Sequence, residues 1–287
     1  ILNPGDEVII PAPYWVSYPV MVQMADGVPV HVEASEDEDF IISAEKIEAA
    51  ISEKTKAIII NSPSNPSGAV YSMDDLKAIA EVCKKHNIMI VSDEIYDELT
   101  YEGEHASIAA VDEQTKALTL LVNGLSKSYS MTGWRVGYVA CDKEIAKVIK
   151  AYQSHTASNP NTMAQYASVA ALNSDGSDIM TMKRAFDERR KRLHLLINDV
   201  DGLSCHMPKG AFYIMMNISK TFGKSYEGKK ITSSLDFSKL LLEGEKVAVV
   251  PGSAFGADEF VRLSYAVSMA NIDEGIRRIT AFVKALQ

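Results

Sequence analysis

Residues 56–93, KAIIINSPSNPSGAVYSMDDLKAIAEVCKKHNIMIVSD, place a helical pattern between two short apolar segments. The segments KAIII (56–60) and IMIVS (88–92) are nearly continuous apolar runs, which is typical of strands buried on both faces. Between them, Ser72 and Asp75 have the spacing of a helix N-cap and its capping partner. The apolar face of this helix carries Leu76, Ile79, Ala80 and Cys83. A strand, a helix and a second strand predict a parallel pair joined by a right-handed crossover.

Similar apolar segments recur on both sides of this unit. ALTLLV (117–122) and RVGYVA (135–140) again predict strands buried on both faces, and VII (8–10) predicts another strand near the start. The predicted fold class is therefore α/β, with a mostly parallel sheet. In such sheets, ligands bind beyond the carboxyl ends of the strands.

The pattern changes after residue 176. SDIMTMKRAFDERRKRLHLLIND (177–199) predicts one long helix, and strands are predicted in GAFYIMM (210–216) and VAVVP (247–251). Asn271 and Glu274 have the capping spacing for the final helix. We expect three parts: a large domain over 1–177, a connecting helix over 178–200 and a small α+β domain over 201–287.

Composition limits the possible functions. The 287 residues are 47% hydrophobic and 23% charged, as in soluble globular proteins, and no run approaches the ~18 apolar residues of a membrane span. With 38 Asp and Glu against 29 Lys and Arg, the net charge of -9 argues against nucleic acid as a partner. Cys83, Cys141 and Cys205 lie far apart without metal-ligand spacing. We therefore expect a reducing, cytoplasmic setting and no metal site.

Polar residues of unusual type stand at the ends of the predicted strands. They are Asn65, Asp93, Tyr96, Ser126, Lys127 and Arg135. Each has an ordinary explanation on its own, such as turn chemistry, a loop cap or a solvated charge. Because the carboxyl ends of parallel strands meet at one edge, the set as a whole indicates a single binding site.

This set would suit an aromatic aldehyde cofactor that carries a phosphate. Lys127 would bond covalently to the aldehyde. Ser126 and Arg135 would hold the phosphate, while Asp93 would keep a ring nitrogen protonated. The ring would then draw electrons from a bound substrate.

Three further residues would complete the contacts to such a ring. Tyr96 and Asn65 would donate hydrogen bonds to a ring phenolate. Trp15 would offer a flat face for stacking, although PYWVSYP (13–19) suits an aromatic core strand or hairpin equally well.

Four motifs, in this order, resemble one known family. They are SNPSG (64–68), SDEIYDEL (92–99), SKSYSMTGWRVGY (126–138) and RLSYA (262–266). Together with PGDEVIIPAPYWVSYP (4–19), they resemble the class I/II aminotransferases, which are pyridoxal-phosphate enzymes of fold type I, and in particular the bacterial aspartate aminotransferase branch. The resemblance runs from residue 2 to the final helix. It implies a large domain with a seven-stranded sheet, and a homodimer.

The resemblance also implies a role for each site residue. Lys127 resembles the lysine that carries pyridoxal phosphate and then moves the substrate's α-proton, so its pKa is expected below the usual ~10.4. Arg262 resembles the arginine that grips the substrate α-carboxylate, a task for which a planar guanidinium is suited. Asn65 and Trp15 would also lie near the substrate. The remaining cofactor ligands by resemblance are Asp93, Tyr96, Ser126 and Arg135, together with Asn65 and Trp15.

Family members carry an N-terminal segment and a glycine-containing phosphate loop before the PGDEV turn, so we expect this chain to be a fragment. The implied reaction moves an amino group from an L-amino acid, with aspartate favoured, to 2-oxoglutarate in a ping-pong scheme. Two alternatives share the fold: a carbon–sulfur β-lyase and the ligand-sensing module of a regulator. A phosphate-loop NTPase is excluded, because Ile218 stands where the motif before Gly223-Lys224-Ser225 requires glycine.

Overall fold

The structure, a computed structural model, describes all 287 residues and is built around one large sheet. The strands of this sheet are β1 (Glu7–Ala12), β2 (Val28–Glu33), β3 (Thr55–Asn61), β4 (Met89–Asp93), β5 (Thr119–Gly124) and β6 (Gly137–Ala140). Their order is β2-β1-β3-β4-β5-β6, with parallel pairing throughout except between β5 and β6. The predicted α/β class with a mostly parallel sheet is confirmed, as is the parallel pair β3 and β4.

The sheet differs from the expectation in two details. The resemblance implied seven strands, but the sheet has six, because no further segment of the chain pairs with the edge strands β2 and β6. The segment 135–140 was expected to be buried on both faces, yet all four residues of β6 are exposed. As an edge strand it has one neighbour, and the helix that follows it buries no residue.

Nine α-helices accompany the strands. They are α1 (Ser17–Met24), α2 (Ala44–Ala49), α3 (Met73–His86), α4 (Glu113–Leu118), α5 (Lys143–Thr156), α6 (Thr162–Leu172), α7 (Ser177–Asn198), α8 (Ser234–Glu245) and α9 (Met269–Lys284). The predicted cap of α3 is confirmed: Ser72 Oγ accepts the Asp75 N–H at 3.2 Å, and the Asp75 carboxylate accepts the Ser72 N–H at 2.8 Å. The predicted apolar face of α3 is buried.

A second, smaller sheet follows the long helix α7. Its strands are β7 (Tyr213–Asn217), β10 (Val250–Pro251) and β11 (Phe260–Ser264), and the two-residue strands β8 (Ser225–Tyr226) and β9 (Lys229–Lys230) form a separate hairpin. The order is β10-β11-β7, and the pairing is antiparallel. The strands predicted within 210–216 and 247–251 are thus confirmed.

The final helix begins earlier than its sequence spacing suggested. Its N-cap is Ser268, whose Oγ accepts the N–H of Asn271 at 3.2 Å. Because Asn271 already lies in the first turn, it is not the cap. Glu274 instead pairs with Arg277 and Arg278 on the exposed side of the helix.

The polar edge of the large sheet lies against the second sheet. Tyr96 and Leu99, which follow β4, belong to the same buried apolar cluster as Tyr213 on β7 and Val261 on β11. The junction between the two sheets is therefore tightly packed beside the predicted site.

The division of the chain into domains at residues 177 and 200 stays a prediction. No helix has both the length and the apolar character needed to cross a membrane.

Candidate active site

The loop after β3 presents Asn65 to the second sheet. Asn61, the last residue of β3, donates its side-chain N–H to the Asp93 carbonyl at 2.9 Å and accepts the Asn65 N–H at 2.8 Å. These bonds hold Asn65 in a buried position. The Asn65 side-chain oxygen then accepts a hydrogen bond from Arg262 on β11 at 2.7 Å. Asn61 was missed by the sequence reasoning, because a strand-end asparagine has no distinguishing spacing.

The guanidinium of Arg262 is enclosed by aromatic rings. Its central carbon lies 4.3 Å from the ring centre of Tyr213 and 5.0 Å from that of Phe255. The Nε atom of Arg262 is buried and has no hydrogen-bond partner. Burial lowers the pKa of Arg262 from its usual value, but a guanidinium remains charged near neutral pH. The charged guanidinium of Arg262 is thus fixed in position, and its Nε–H group is not hydrogen-bonded.

The carboxylate of Asp93, at the end of β4, is held from two sides. Tyr18 of α1 donates its hydroxyl to Asp93 Oδ2 at 2.6 Å, and the Ile95 N–H donates to Oδ1 at 3.1 Å. Burial raises the pKa of Asp93, and these two hydrogen bonds oppose the shift. Burial also raises the pKa of Tyr18 well above its usual value, so the hydroxyl stays a donor.

Tyr18 was not identified from the sequence, although one clue was available. It stands three residues after Trp15 in the PYWVSYP segment, and this spacing places both residues on one side of a helix start. The two rings meet edge to face with their centres 5.3 Å apart. One short segment therefore supplies a half-buried indole and the donor that holds Asp93.

Lys127 lies half-buried in the loop after β5. Its Nζ atom is 5.7 Å from the ring centre of Tyr96 and 5.6 Å from that of Phe212. Burial is the main cause that lowers the pKa of Lys127, with Arg262 and Arg135 adding to the effect and Asp93 opposing it. The expected lowering of this pKa is confirmed.

Tyr96 is buried at the junction between the two sheets. Its hydroxyl is 3.0 Å from the hydroxyl of Tyr213, and either of the two can donate. Burial and the neighbouring Tyr213 raise the pKa of Tyr96 far above its usual value. The phenol of Tyr96 is therefore neutral at the sheet junction near Lys127.

The predicted phosphate ligands are less closely assembled. Ser126 and Lys127 line an open cavity of about 400 Å³ that also touches Phe212 and Arg189. Arg135 is exposed, has a left-handed backbone with a φ of 55°, and donates to the Thr132 carbonyl at 3.1 Å. No hydrogen bond joins Ser126 to Arg135. The structure thus brings Asn65, Arg262, Tyr96, Asp93 and Lys127 together at the junction of the two sheets, which we call the cleft, and Arg135 lies exposed beside Lys127.

Replacing Tyr18 with phenylalanine is expected to destabilise the chain in a pH-dependent way. Because the pKa of Asp93 is raised in the folded state, the folded chain binds more protons than the unfolded chain between the two pKa values, and stability falls as the pH rises through that window. Loss of the Tyr18 donor raises this pKa further. We expect a deficit of about 2 kcal/mol at pH 8 that is clearly smaller near pH 4. Urea unfolding at the two pH values measures it.

A matched control for this variant is Tyr71→Phe. Tyr71 is also buried, but its hydroxyl accepts the backbone N–H of Ile42 at 3.4 Å and has no carboxylate partner. Its deficit should be the same at both pH values. A Tyr18→Phe deficit that is equally independent of pH would contradict the assigned role of the hydroxyl.

A mostly parallel α/β sheet with a half-buried lysine and a hydrogen-bonded carboxylate at its carboxyl edge, facing an arginine of a second sheet, is the arrangement that the resemblance to enzymes of fold type I implied. The sequence matches the family "Aminotransferase class I and II" over residues 1–279, so the chain belongs to that family. It is an aminotransferase of a class that depends on pyridoxal phosphate.

Individual relatives support the same assignment. The chain is 49% identical to an aspartate aminotransferase of Bacillus subtilis (strain 168) and 46% identical to one of Geobacillus stearothermophilus, in each case over 99% of this chain and 72% of the relative. A crystal structure of the aspartate aminotransferase from Rhizobium meliloti superposes with a TM-score of 0.97 at 42% identity, covering 100% of this chain and 72% of that one. The fold type and the aminotransferase activity predicted from the sequence are confirmed. The lyase and sensor alternatives are not favoured.

Proposed function

We propose that this chain transfers the amino group of L-aspartate to 2-oxoglutarate, using pyridoxal phosphate held at the carboxyl edge of the large sheet. Relatives that bear the name aspartate aminotransferase match nearly the whole chain at 46 to 49% identity. The observation that carries the proposal within the site is the guanidinium of Arg262, because it is enclosed, charged and not fully hydrogen-bonded.

The donor set of the cleft fits pyridoxal phosphate. Asp93 would accept a hydrogen bond from the protonated pyridine nitrogen and so keep it protonated, since a partly buried carboxylate held by Tyr18 pairs well with a ring cation. Tyr96 and Asn65 would hold the phenolic oxygen. Trp15 would stack on the ring. When bound, the cofactor supplies an electron-withdrawing ring that stabilises negative charge at the substrate α-carbon.

The phosphate group would lie at the exposed end of the same cleft. Ser126 faces the open cavity beside Lys127, and Arg135 adds positive charge near the amine of Lys127. A hydroxyl and a guanidinium are suitable ligands for a phosphate dianion. Arg135 has a single backbone hydrogen bond, so its remaining N–H groups are free for this contact.

Arg262 would bind the α-carboxylate of the amino acid. Its fork of N–H groups suits bidentate binding of a carboxylate, and the hydrogen bond to Asn65 together with the two aromatic faces fixes its plane. The buried Nε atom would then gain the partner that it lacks. The substrate would thereby be oriented with its α-carbon toward Lys127.

Lys127 would move the proton of the reaction. Its Nζ atom would accept the α-proton of the bound amino acid, hold it within the cleft and later give it up. A base works best when its pKa is close to the working pH, and burial with two nearby guanidinium groups moves the pKa of Lys127 in that direction. Loss of a proton from the amine also relieves the repulsion from Arg262.

Stepwise addition of the two substrates tests the proposal. With pyridoxal phosphate bound, aspartate alone should remove the visible absorbance of the enzyme, and 2-oxoglutarate should restore it, as a ping-pong scheme requires. Glutamate and oxaloacetate are the expected products. Release of pyruvate and ammonia from a sulfur-containing amino acid would instead indicate the lyase, and binding without turnover would indicate the sensor.

The homodimer and the cytoplasmic location stay predictions, and sedimentation equilibrium measures the oligomeric state.

A further inference from the structure

The carboxylate of Asp97 joins the chain on both sides of Lys127. Its Oδ2 atom accepts a hydrogen bond from the Asn123 side-chain amide at 2.7 Å, and its Oδ1 atom accepts the Ser128 hydroxyl at 3.2 Å. Asn123 and Ser128 are both buried. Asn123 also accepts the Gly124 N–H, at 2.6 Å, which fixes the orientation of its amide. The side chain of Asp97 therefore binds both the end of β5, through Asn123, and the residue directly after Lys127, which is Ser128.

The rest of the loop that carries Lys127, residues 125–131 and here called the lysine loop, is held mostly by long hydrogen bonds. No hydrogen bond or ion pair restrains the amine of Lys127, so the position of Nζ depends on the backbone that carries it. The backbone bonds around it are long: 3.2 Å from the Ser130 N–H to the Lys127 carbonyl, 3.3 Å from Tyr129 to Leu125, and 3.5 Å from Leu125 to Val136. Ordinary backbone bonds measure about 2.9 Å. The bond between Asn123 and Asp97 is shorter than any of these, and the bond from Ser128 to Asp97 equals the shortest of them.

Asp97 is itself well anchored. It follows Asp93 and Tyr96 in the short helical turn after β4, where its N–H donates to the Glu94 carbonyl at 3.0 Å and its carbonyl accepts the Thr100 hydroxyl at 3.1 Å. A displacement of the lysine loop relative to Asp93 would therefore break the bonds to Asp97. The turn after β4 and the loop after β5 are linked by this carboxylate.

We propose that Asp97 is the positioning residue of Lys127, whose carboxylate keeps the lysine loop closed so that the amine stays half-buried in the cleft. The proposal builds on the proposed function, in which Lys127 is the reacting amine. It concerns a residue that does not touch substrate or cofactor and acts only through the loop.

Removing the carboxylate leaves two buried donors, on Asn123 and Ser128, without an acceptor. Because an unsatisfied buried donor is costly, the loop is expected to open and let water reach it. The amine of Lys127 would then leave its present surroundings, which are the rings of Tyr96 and Phe212 and the charged groups Arg262, Arg135, Asp93 and, across the cavity, Arg189. Its proton affinity would return toward that of a free lysine.

Competitive labelling of amines measures this change without any cofactor. Cofactor-free wild-type and Asp97→Ala proteins are treated with trace acetic anhydride across a range of pH, and mass spectrometry follows the peptide that contains Lys127. In the variant, the midpoint of Lys127 labelling should rise by about 1 pH unit, the scale on which burial and nearby charge shift such groups. Ser128→Ala, which removes one donor and leaves Asp97 in place, should give a smaller shift in the same direction.

The matched control is Asp112→Ala. Asp112 also accepts two hydrogen bonds through its carboxylate, from the Thr115 N–H at 2.7 Å and from Lys84 at 2.7 Å, but it caps α4 away from the cleft. The Asp112→Ala variant should have a lower midpoint of thermal unfolding, while the pH midpoint of Lys127 labelling should stay at the wild-type value. If Asp97→Ala loses thermal stability while its Lys127 midpoint stays at the wild-type value, Asp97 is merely structural and the proposal is wrong. Since this readout needs no transamination, its failure is distinct from a failure of the proposed function.

Discussion

Replacing Lys127 with alanine should lower the transamination rate by about 10²- to 10⁴-fold, because the variant loses the group that moves the α-proton. It should also lose the visible absorbance that pyridoxal phosphate acquires on covalent attachment to a lysine. No other lysine lines the cavity beside Ser126. Steady-state assays with aspartate and 2-oxoglutarate, together with an absorbance spectrum of the loaded protein, measure both effects.

A suitable control for this variant is Lys116→Ala. Lys116 is an exposed lysine on α4 that pairs only with Glu113 one turn earlier, so its removal should leave both the rate and the spectrum unchanged. The assignment of Lys127 would fail if the alanine variant of Lys127 kept the visible band. A lowered rate with an intact band would place the attachment at another amine.

Exchanging Arg262 for lysine should reduce kcat/KM for aspartate by roughly 10- to 150-fold, which corresponds to the about 1.5 to 3 kcal/mol that a hydrogen bond to a charged group contributes. The ammonium keeps the positive charge but lacks the planar fork, and it cannot stack on Tyr213 and Phe255 as the guanidinium does. It also cannot both bond to Asn65 and bind a carboxylate through two parallel donors. We expect most of the loss in KM, because the contact is made in the ground state as well as in the transition state.

The same exchange at Arg277 provides the control. Arg277 is an exposed arginine of α9 that pairs with Glu274, and Arg277→Lys should change kcat/KM less than twofold, as surface ion pairs contribute little. An unchanged KM in Arg262→Lys would show that the α-carboxylate is bound elsewhere. Substrate-like dicarboxylates, titrated against both variants, would then locate the binding group.

Much of the large sheet could be read from the sequence because its signals are local. The spacing of Ser72 and Asp75 defines a helix start within four residues, and the apolar runs at 56–60 and 88–92 are continuous. Where a local signal was ambiguous, the expectation was wrong. Asn271 and Glu274 have capping spacing, but Ser268 lies closer to the true helix start and takes the role. The run at 135–140 is as apolar as a buried strand, yet it forms an exposed edge.

The sequence alone determined the α/β class, the order of the polar strand ends and the resemblance to the aminotransferases, since these depend on periodicity and on motifs of a few residues. Only the tertiary structure decided which groups meet. Tyr18 and Asp93 are 75 positions apart, and Asn65 and Arg262 are 197 apart, yet each pair forms a hydrogen bond shorter than 2.8 Å. Asp97 likewise reaches Asn123 across 26 positions. Such contacts depend on how two elements dock, and docking is set by the packing of whole apolar faces rather than by the spacing of residues along the chain.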